Sequence, residues 1–360
     1  MTIALNATSI HRKLSALACG RQFSGVVVIR QGETNLYARA FGYANQNWKI
    51  KNTLDTRFRI ASMGKLFTAA AVLQLIEAGK VTLQTPIHEI LDLAQTTIPS
   101  ETTIFHLLSM TSGIADYTNE ESETFDEDWT KFCREHPLYL LRDNADYLPF
   151  FCSLLPYGPL GEKHRYSNSS FILLGLAIEK LSGESYFNYI RRHIFAPAGM
   201  VDSDFIDLDD VSPRVAEGYV PVEDENEKIT GFKKNYYATT AGGAGDGGST
   251  GSAEDMLRFS AALRAGKIIH PDSFALMTTP HAIEDEENYQ GYLWRYGFGC
   301  FLMLDGNERL LRWGHTGEED GVSCRLWHYP QHDIDVVIMG NQSGCAGKVS
   351  RIIQAQILNM

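Results

Sequence analysis

The sequence predicts an α/β (α+β) domain whose sheet is completed by both ends of the chain, and three observations predict it. Strand-like segments occur near the N-terminus and again through the last third. The stretch between them, residues 80–200, reads mainly as helix. Nothing separates the parts: the sequence holds no internal repeat, no low-complexity tract and no linker of the kind that divides independent domains. Strands at both ends with helices between imply one sheet shared by the termini. A chain of 360 residues, 44% hydrophobic and 21% charged, buries a sizeable core without covalent staples.

Taken in order, the first twenty residues carry His11, Arg12 and Lys13, then only a short apolar run to Cys19 that Ser15 interrupts. A secretory leader needs roughly seven or more apolar residues after its charges, so an amphipathic helix is expected instead. A cytoplasmic location is the default; a mature form whose leader had been replaced by Met1 would be periplasmic or secreted. No segment reaches the roughly 18 apolar residues of a membrane span. Residues 25–30 and 35–41, around Gln31-Gly32-Glu33, read as a hairpin. Residues 62–78 read as a helix stopped by Gly79, and its apolar residues cover nearly every face, which marks a buried central helix. The acidic stretch 119–128 has no periodicity and reads as a surface loop. A helix follows at 170–181. Residues 231–251, rich in Gly, Ala and Thr, read as irregular chain leading into a helix capped by Ser252 with Asp255 three residues on. Strands are expected at 296–304, 308–313, 323–328 and 334–339, and a final helix at 348–358.

The net charge of -12 argues against nucleic acid or an anionic membrane as the main partner. The six cysteines, at 19, 133, 152, 300, 324 and 345, show no C-x-x-C and no zinc-like spacing with histidine, and scattered buried thiols are expected. The oligomeric state is not legible.

Chemistry enters at Ser62-Met63-Gly64-Lys65. Residues three apart share a helical face, so the Lys65 amine reaches the Ser62 hydroxyl. A serine hydroxyl is a weak nucleophile until a base takes its proton, and a desolvated lysine is able to be that base. Alone the pattern is weak, because two fixed positions in four recur by chance. Two further elements strengthen it: Tyr166-Ser167-Asn168, a Y-x-N before a helix, and His315-Thr316-Gly317, an H-T-G between two strand-like segments.

In this order the three elements resemble the serine β-lactamase and penicillin-binding superfamily. Tyr-Ser-Asn is similar to the class C β-lactamases, the D-alanyl-D-alanine carboxypeptidases and a group of esterases and D-aminopeptidases. The text around residues 55–61, 106–114 and 242–255 agrees. The resemblance implies a class C β-lactamase-like fold: an antiparallel sheet flanked by terminal helices plus a mostly helical region. It implies a discontinuous sheet domain at 1–80 and 200–360, a helical region at 81–199 and an active site at their junction. Ser62 is then the nucleophile, with Lys65 and Tyr166 sharing the proton work and the Tyr166 pKa lowered by nearby cations. Asn168 would bind the substrate amide or position Lys65. His315, Thr316, Gly317 and Glu318 would line the substrate, with the N–H groups of Ser62 and Glu318 as oxyanion hole. No metal or cofactor is required.

Departures from the family pattern bear on substrate. His315 stands where β-lactamases have lysine, and a neutral imidazole anchors a carboxylate weakly. Glu318, Glu319 and Asp320 follow the motif, and Glu120, Glu121, Glu123, Asp126, Glu127 and Asp128 sit on the acidic stretch. An acidic mouth disfavours anionic substrates. An ester, or an amide or peptide of a D-amino acid, ranks first, a D,D-carboxypeptidase second and a weak β-lactamase third; an inactive binding protein on the same fold is the alternative from another class. Gly247-Gly248-Ser249-Thr250-Gly251 and Gly243-Ala244-Gly245-Asp246-Gly247-Gly248 match a nucleophile elbow and a dinucleotide motif, but neither follows a clear strand. His328 and His332 straddle Pro330 and are not a metal pair. Packing is the default reading of Tyr236 and Tyr237.

Overall fold

Near-continuous burial along the central strands, covered on both faces, explains the architecture. The computed structural model describes residues 5–287 and 289–358; Met1 and the outermost residues of the expected sheet domain lie outside it. Eight antiparallel strands form the main sheet: β1 (Gly25–Gln31), β2 (Thr34–Phe41), β3 (Ala282–Asp285), β4 (Leu293–Tyr296), β5 (Phe301–Leu304), β6 (Leu310–Glu319), β7 (Val322–Tyr329) and β8 (Ile334–Gly340). Their spatial order is β2-β1-β8-β7-β6-β5-β4-β3, so the N-terminal hairpin is stitched to the C-terminal strands where β1 meets β8.

Both faces of this sheet are covered. Successive side chains of a strand point to opposite faces. In β1, Val27 and Ile29 join Ile334, Val336 and Ile338 of β8 under the terminal helices α1 (Ala7–Cys19) and α6 (Cys345–Leu358). Val26 and Val28, with Val337 and Met339, face the other core, which holds the central helix α2 (Lys65–Glu77). The remaining helices used below are α3 (Phe125–Glu135), α4 (Asn168–Ser182) and α5 (Ala253–Arg264). Helix α2 is buried on nearly every side, from Lys65 through Leu75.

Several expected boundaries move. The 296–304 strand is a hairpin instead, because Gly297 and Gly299 (φ +64°) turn the chain between β4 and β5. The H-T-G lies inside β6 rather than between strands. The acidic stretch is not all surface loop: its end is α3, and Glu120, itself exposed, is held by Asn168 at the mouth of a cavity. Residues 229–234 pair with Tyr219–Glu223 in a small ladder, so the irregular segment begins later than expected. Cys300, Cys324 and Cys345 are buried, whereas Cys19 is exposed. His328 is a core residue hydrogen-bonded to Asp335.

Asp335 pins α5 to the sheet. Its carboxylate accepts from Ser260 Oγ (2.7 Å), from two Arg264 nitrogens (2.9 Å each) and lies 3.0 Å from His328 Nδ1. Burial works against ionisation, but the His328 ring and then the Arg264 guanidinium outweigh it and hold the carboxyl below the usual range. A depressed folded-state pKa contributes stability that is present above the unfolded value of about 4 and is lost as pH falls through the folded one. Asp335→Ala should therefore lose about 3 kcal/mol at neutral pH, measured by urea denaturation, because Arg264 is left without its nearest carboxylate. The gap between variant and wild type should narrow below about pH 4.

Candidate active site

Ser62 sits on a tight turn, Ala61–Gly64, immediately before α2. The helix itself begins at Lys65, one turn later than the pattern suggests. Ala61 has φ +45°, a left-handed conformation that costs a non-glycine residue on the order of 1–3 kcal/mol and persists only where surroundings enforce it. The surroundings are two backbones in contact with the turn. A Cβ on Gly317 of β6 would stand 2.0 Å from Ile60 O, and one on Gly247 (φ +156°) 2.4 Å from Ala61 O. Only glycine permits such approach. Gly248 N also donates to Ala61 O (3.2 Å), and Ile60 N to Ser249 O (2.9 Å). The glycine-rich segment therefore forms one wall of the site, although it is neither a nucleophile elbow nor a dinucleotide loop.

Lys65 is 0% exposed. Its Nζ donates to Ser62 Oγ (3.0 Å), Asn168 Oδ1 (2.6 Å) and the backbone oxygen of Asp246 (2.8 Å). Burial lowers its pKa; the carboxylates of Asp246, Glu120 and Asp116 offset this only in part. The Tyr166 hydroxyl faces Ser62, and its ring stacks at 5° on Phe301 with centroids 6.2 Å apart. The expected lowering of its pKa does not occur. Burial pushes the phenol well above its ordinary range, and Glu120 adds to the effect, so Tyr166 holds its proton.

The start of α4 organises the next layer. Ser167 caps the helix, accepting from Ser170 N (3.1 Å). Asp116 accepts from the N–H groups of Asn168 (2.8 Å) and Ser169 (2.9 Å) and from Ser169 Oγ (2.8 Å), a carboxylate at a helix N-terminus. Burial nevertheless carries Asp116 up to about 7. Asn168 Nδ2 donates to Glu120 Oε1 (2.6 Å) and Thr118 Oγ1 (3.0 Å), so one amide links Lys65 to Glu120.

His315 departs from expectation. It is 0% exposed and does not line the cavity. Its Nδ1 lies 2.5 Å from Thr316 O, which only accepts, so Nδ1 carries the proton; Nε2 then accepts from Tyr296 O–H at 3.2 Å. Burial first, and the Lys65 charge second, bring its pKa down to about 3. The ring is neutral and packs between Tyr166 and Phe301.

The cavity over Ser62 has a volume of about 540 Å³. Ser62, Asn168 and Glu318 line it; Lys65 lies beneath Ser62, and Thr316 and Gly317 run along β6 behind the turn. Glu120, Asp126, Asp246, Glu319 and Asp320 also line it, and among the described residues no lysine or arginine does. Two of the expected acids are neutralised: Glu319 pairs with buried Arg59 (2.9 Å) and Glu318 with Arg325 (2.6 Å). Among the described residues no cluster of three or more His, Cys, Asp or Glu side chains is placed to hold a metal ion. No helix there is long and apolar enough to cross a membrane.

Sequence reasoning missed Asp116, Tyr117 and Asp246. One signal was available: Asp246 is the lone charged residue between 235 and 253, inside a run of glycines. Gly247→Ala should detach this segment from the catalytic turn. It is expected to lose more than about 1 kcal/mol of stability by thermal denaturation, with slowed labelling of Ser62 by an activated acyl donor.

Known proteins resemble the chain in sequence and in fold. The chain is 29% identical over 333 residues to "Penicillin-binding protein 4*" of Bacillus subtilis, covering 89% of this chain and 68% of that protein. It is 27% identical over 328 residues to the D-aminopeptidase of Brucella anthropi, covering 90% of this chain but only 57% of that longer relative. The structure of a penicillin binding protein from Bacillus halodurans matches with a TM-score of 0.85 and 32% identity, over 96% of this chain and 99% of that one. A D-stereospecific amidohydrolase from Streptomyces sp. shares the fold, with a TM-score of 0.79 at 20% identity over 99% of each chain. The Beta-lactamase family matches residues 12–357, nearly the whole chain, and the protein belongs to that family.

Proposed function

We propose that the protein is a serine hydrolase that works through an acyl-enzyme on Ser62, with Lys65 as general base and an amine-bearing or neutral substrate. The observation that carries this reading is the hydrogen bonding of Lys65. A neutral amine has two protons and one lone pair. Asn168 Oδ1 and Asp246 O take the two protons, which leaves the lone pair facing Ser62 Oγ. Ser62 attacks the substrate carbonyl as its proton passes to Lys65. The N–H groups of Ser62 and Glu318 meet the oxyanion. Tyr166, protonated and facing Ser62, gives its proton to the leaving group and is refilled from the Lys65 ammonium. Water then attacks the ester, Lys65 again taking the proton, and Ser62 is restored.

Electrostatics select the substrate. Among the described residues the cavity offers no cationic side chain to a carboxylate, and His315 is neutral and does not line it. Glu120 lines the cavity beside Asn168 and is placed to hold an ammonium group. A volume of about 540 Å³ suits a short peptide or an ester with a bulky acyl part. These features favour an ester, or an amide of a D-amino acid with a free amine, in keeping with the name of the D-aminopeptidase relative. The likeness to penicillin-binding proteins supports a second reading, a D,D-carboxypeptidase with weak β-lactamase action.

Intact-mass spectrometry after exposure to an activated ester and, separately, to a penicillin decides between them, with Ser62→Ala as control. An ester-derived adduct on Ser62 without a penicillin adduct is expected. A lasting penicillin adduct would move the assignment to the second reading, and no adduct from any donor would leave an inactive binding protein. Glu120→Gln keeps the oxygen that Asn168 contacts but removes the charge. It should raise KM for a D-amino acid amide about tenfold, or ~1.4 kcal/mol, while a neutral ester is hydrolysed within about threefold of wild type. Burial raises the Glu120 pKa, and an ammonium needs its ionised form. Amide affinity should therefore weaken as pH falls through that raised value.

A further inference from the structure

The glycine segment brings one carboxylate into the site that the mechanism above does not use. Asp246 lies between Gly245 and Gly247, and both neighbours are anchored. Gly245 O accepts from Thr68 Oγ1 of α2 (2.5 Å), and Gly245 N donates to Asn144 Oδ1 (2.7 Å). Gly247 is pressed on Ala61. The Asp246 backbone oxygen is thereby held against Lys65 Nζ. Its side chain lines the cavity and accepts a hydrogen bond from the Tyr117 hydroxyl. Tyr117 is itself fixed, its ring 5.0 Å from that of Tyr147 and its N–H donating to Ser169 Oγ (3.1 Å).

We propose that Asp246, clamped by Tyr117, is a positioning residue: its carbonyl aims the Lys65 amine at Ser62 and its carboxylate sets how readily that amine takes a proton. The proposal rests on the reading of Lys65 as the base. The groups facing Lys65 are Ser62 from the turn, Tyr166 and Asn168 from the start of α4, Asp116 and Glu120 from the preceding segment, and His315 from β6. Those facing Asp246 are Lys65, Tyr117, Tyr147, Tyr186 and Glu319. Burial of Tyr117 keeps its phenol protonated, so it remains a donor, and its hydrogen bond together with Lys65 opposes the upward push of burial on Asp246. Removing the carboxylate leaves Lys65 with less stabilisation of its ammonium.

The sign follows directly. A base must be neutral to act, so kcat/KM rises with pH through the Lys65 pKa, and a lower pKa moves that acid limb down. Asp246→Asn keeps the backbone carbonyl and the side-chain size. It should shift the limb by about one pH unit toward acid for hydrolysis of a neutral activated ester. Tyr117→Phe weakens ionisation of Asp246 and should shift the limb the same way by less; it also serves if Asp246→Asn fails to fold by circular dichroism. A loss of kcat with the limb unmoved in the folded variants would show a merely structural role and overturn the proposal. That outcome is distinguishable from failure of the hydrolase reading, which would appear as no Ser62-dependent acylation in the wild type.

Discussion

The amine of Lys65 has to be dry and hydrogen-bonded at the same time, and the arrangement of the site follows from that requirement. Removing an ammonium from water is costly unless partners replace the water. Here the partners come from three places far apart in sequence: Ser62 on the adjoining turn, Asn168 on α4 and Asp246 on the glycine segment. Each has to be delivered by its own element. The packing of α2 against α4 and the seating of the glycine segment on the Ala61 turn are what make the three acceptors converge.

The sheet supplies the rigid frame for that convergence. Because β1 pairs with β8, the N-terminal hairpin and the C-terminal strands become one surface with two buried faces. One face is closed by α1 and α6. The other supports α2 and carries β6 past the catalytic turn, close enough that Gly317 is obliged to lack a side chain. Strain at Ala61 is stored where two fixed backbones meet, in the manner of other functional turns.

Charge gives the cavity over Ser62 its character. His315 is neutral and sealed under Tyr296, and among the described residues the open cavity is lined by acids and by no lysine or arginine. The acidity is less than the sequence suggests, since Arg59 and Arg325 reach Glu319 and Glu318 from behind. Of the acids that remain, Glu120 and Asp246 are joined to the site by hydrogen bonds, Glu120 through Asn168 and Asp246 through its backbone oxygen on Lys65.

By itself the sequence determined the α/β class, the buried central helix and the terminal strands, because these depend on local periodicity; it also singled out Ser62, Lys65, Tyr166 and Asn168 as motif residues, and the fold brings them together. It misread places where only long-range contact decides. The acidic stretch reads as a surface loop because its pattern is polar; Glu120 is indeed exposed, yet Asn168, about fifty positions away, holds it against the cavity. Tyr166 was read as acidified by cations, while tertiary packing encloses it and leaves it protonated. His315 was placed toward substrate by resemblance alone, since the face a strand residue takes is not legible from a tripeptide; the sheet turns it inward against Tyr296. Asp246 was hidden in glycines whose meaning is steric. Their lack of side chains matters only once Ala61, some 185 residues earlier, is in contact, and only the tertiary structure brings it there.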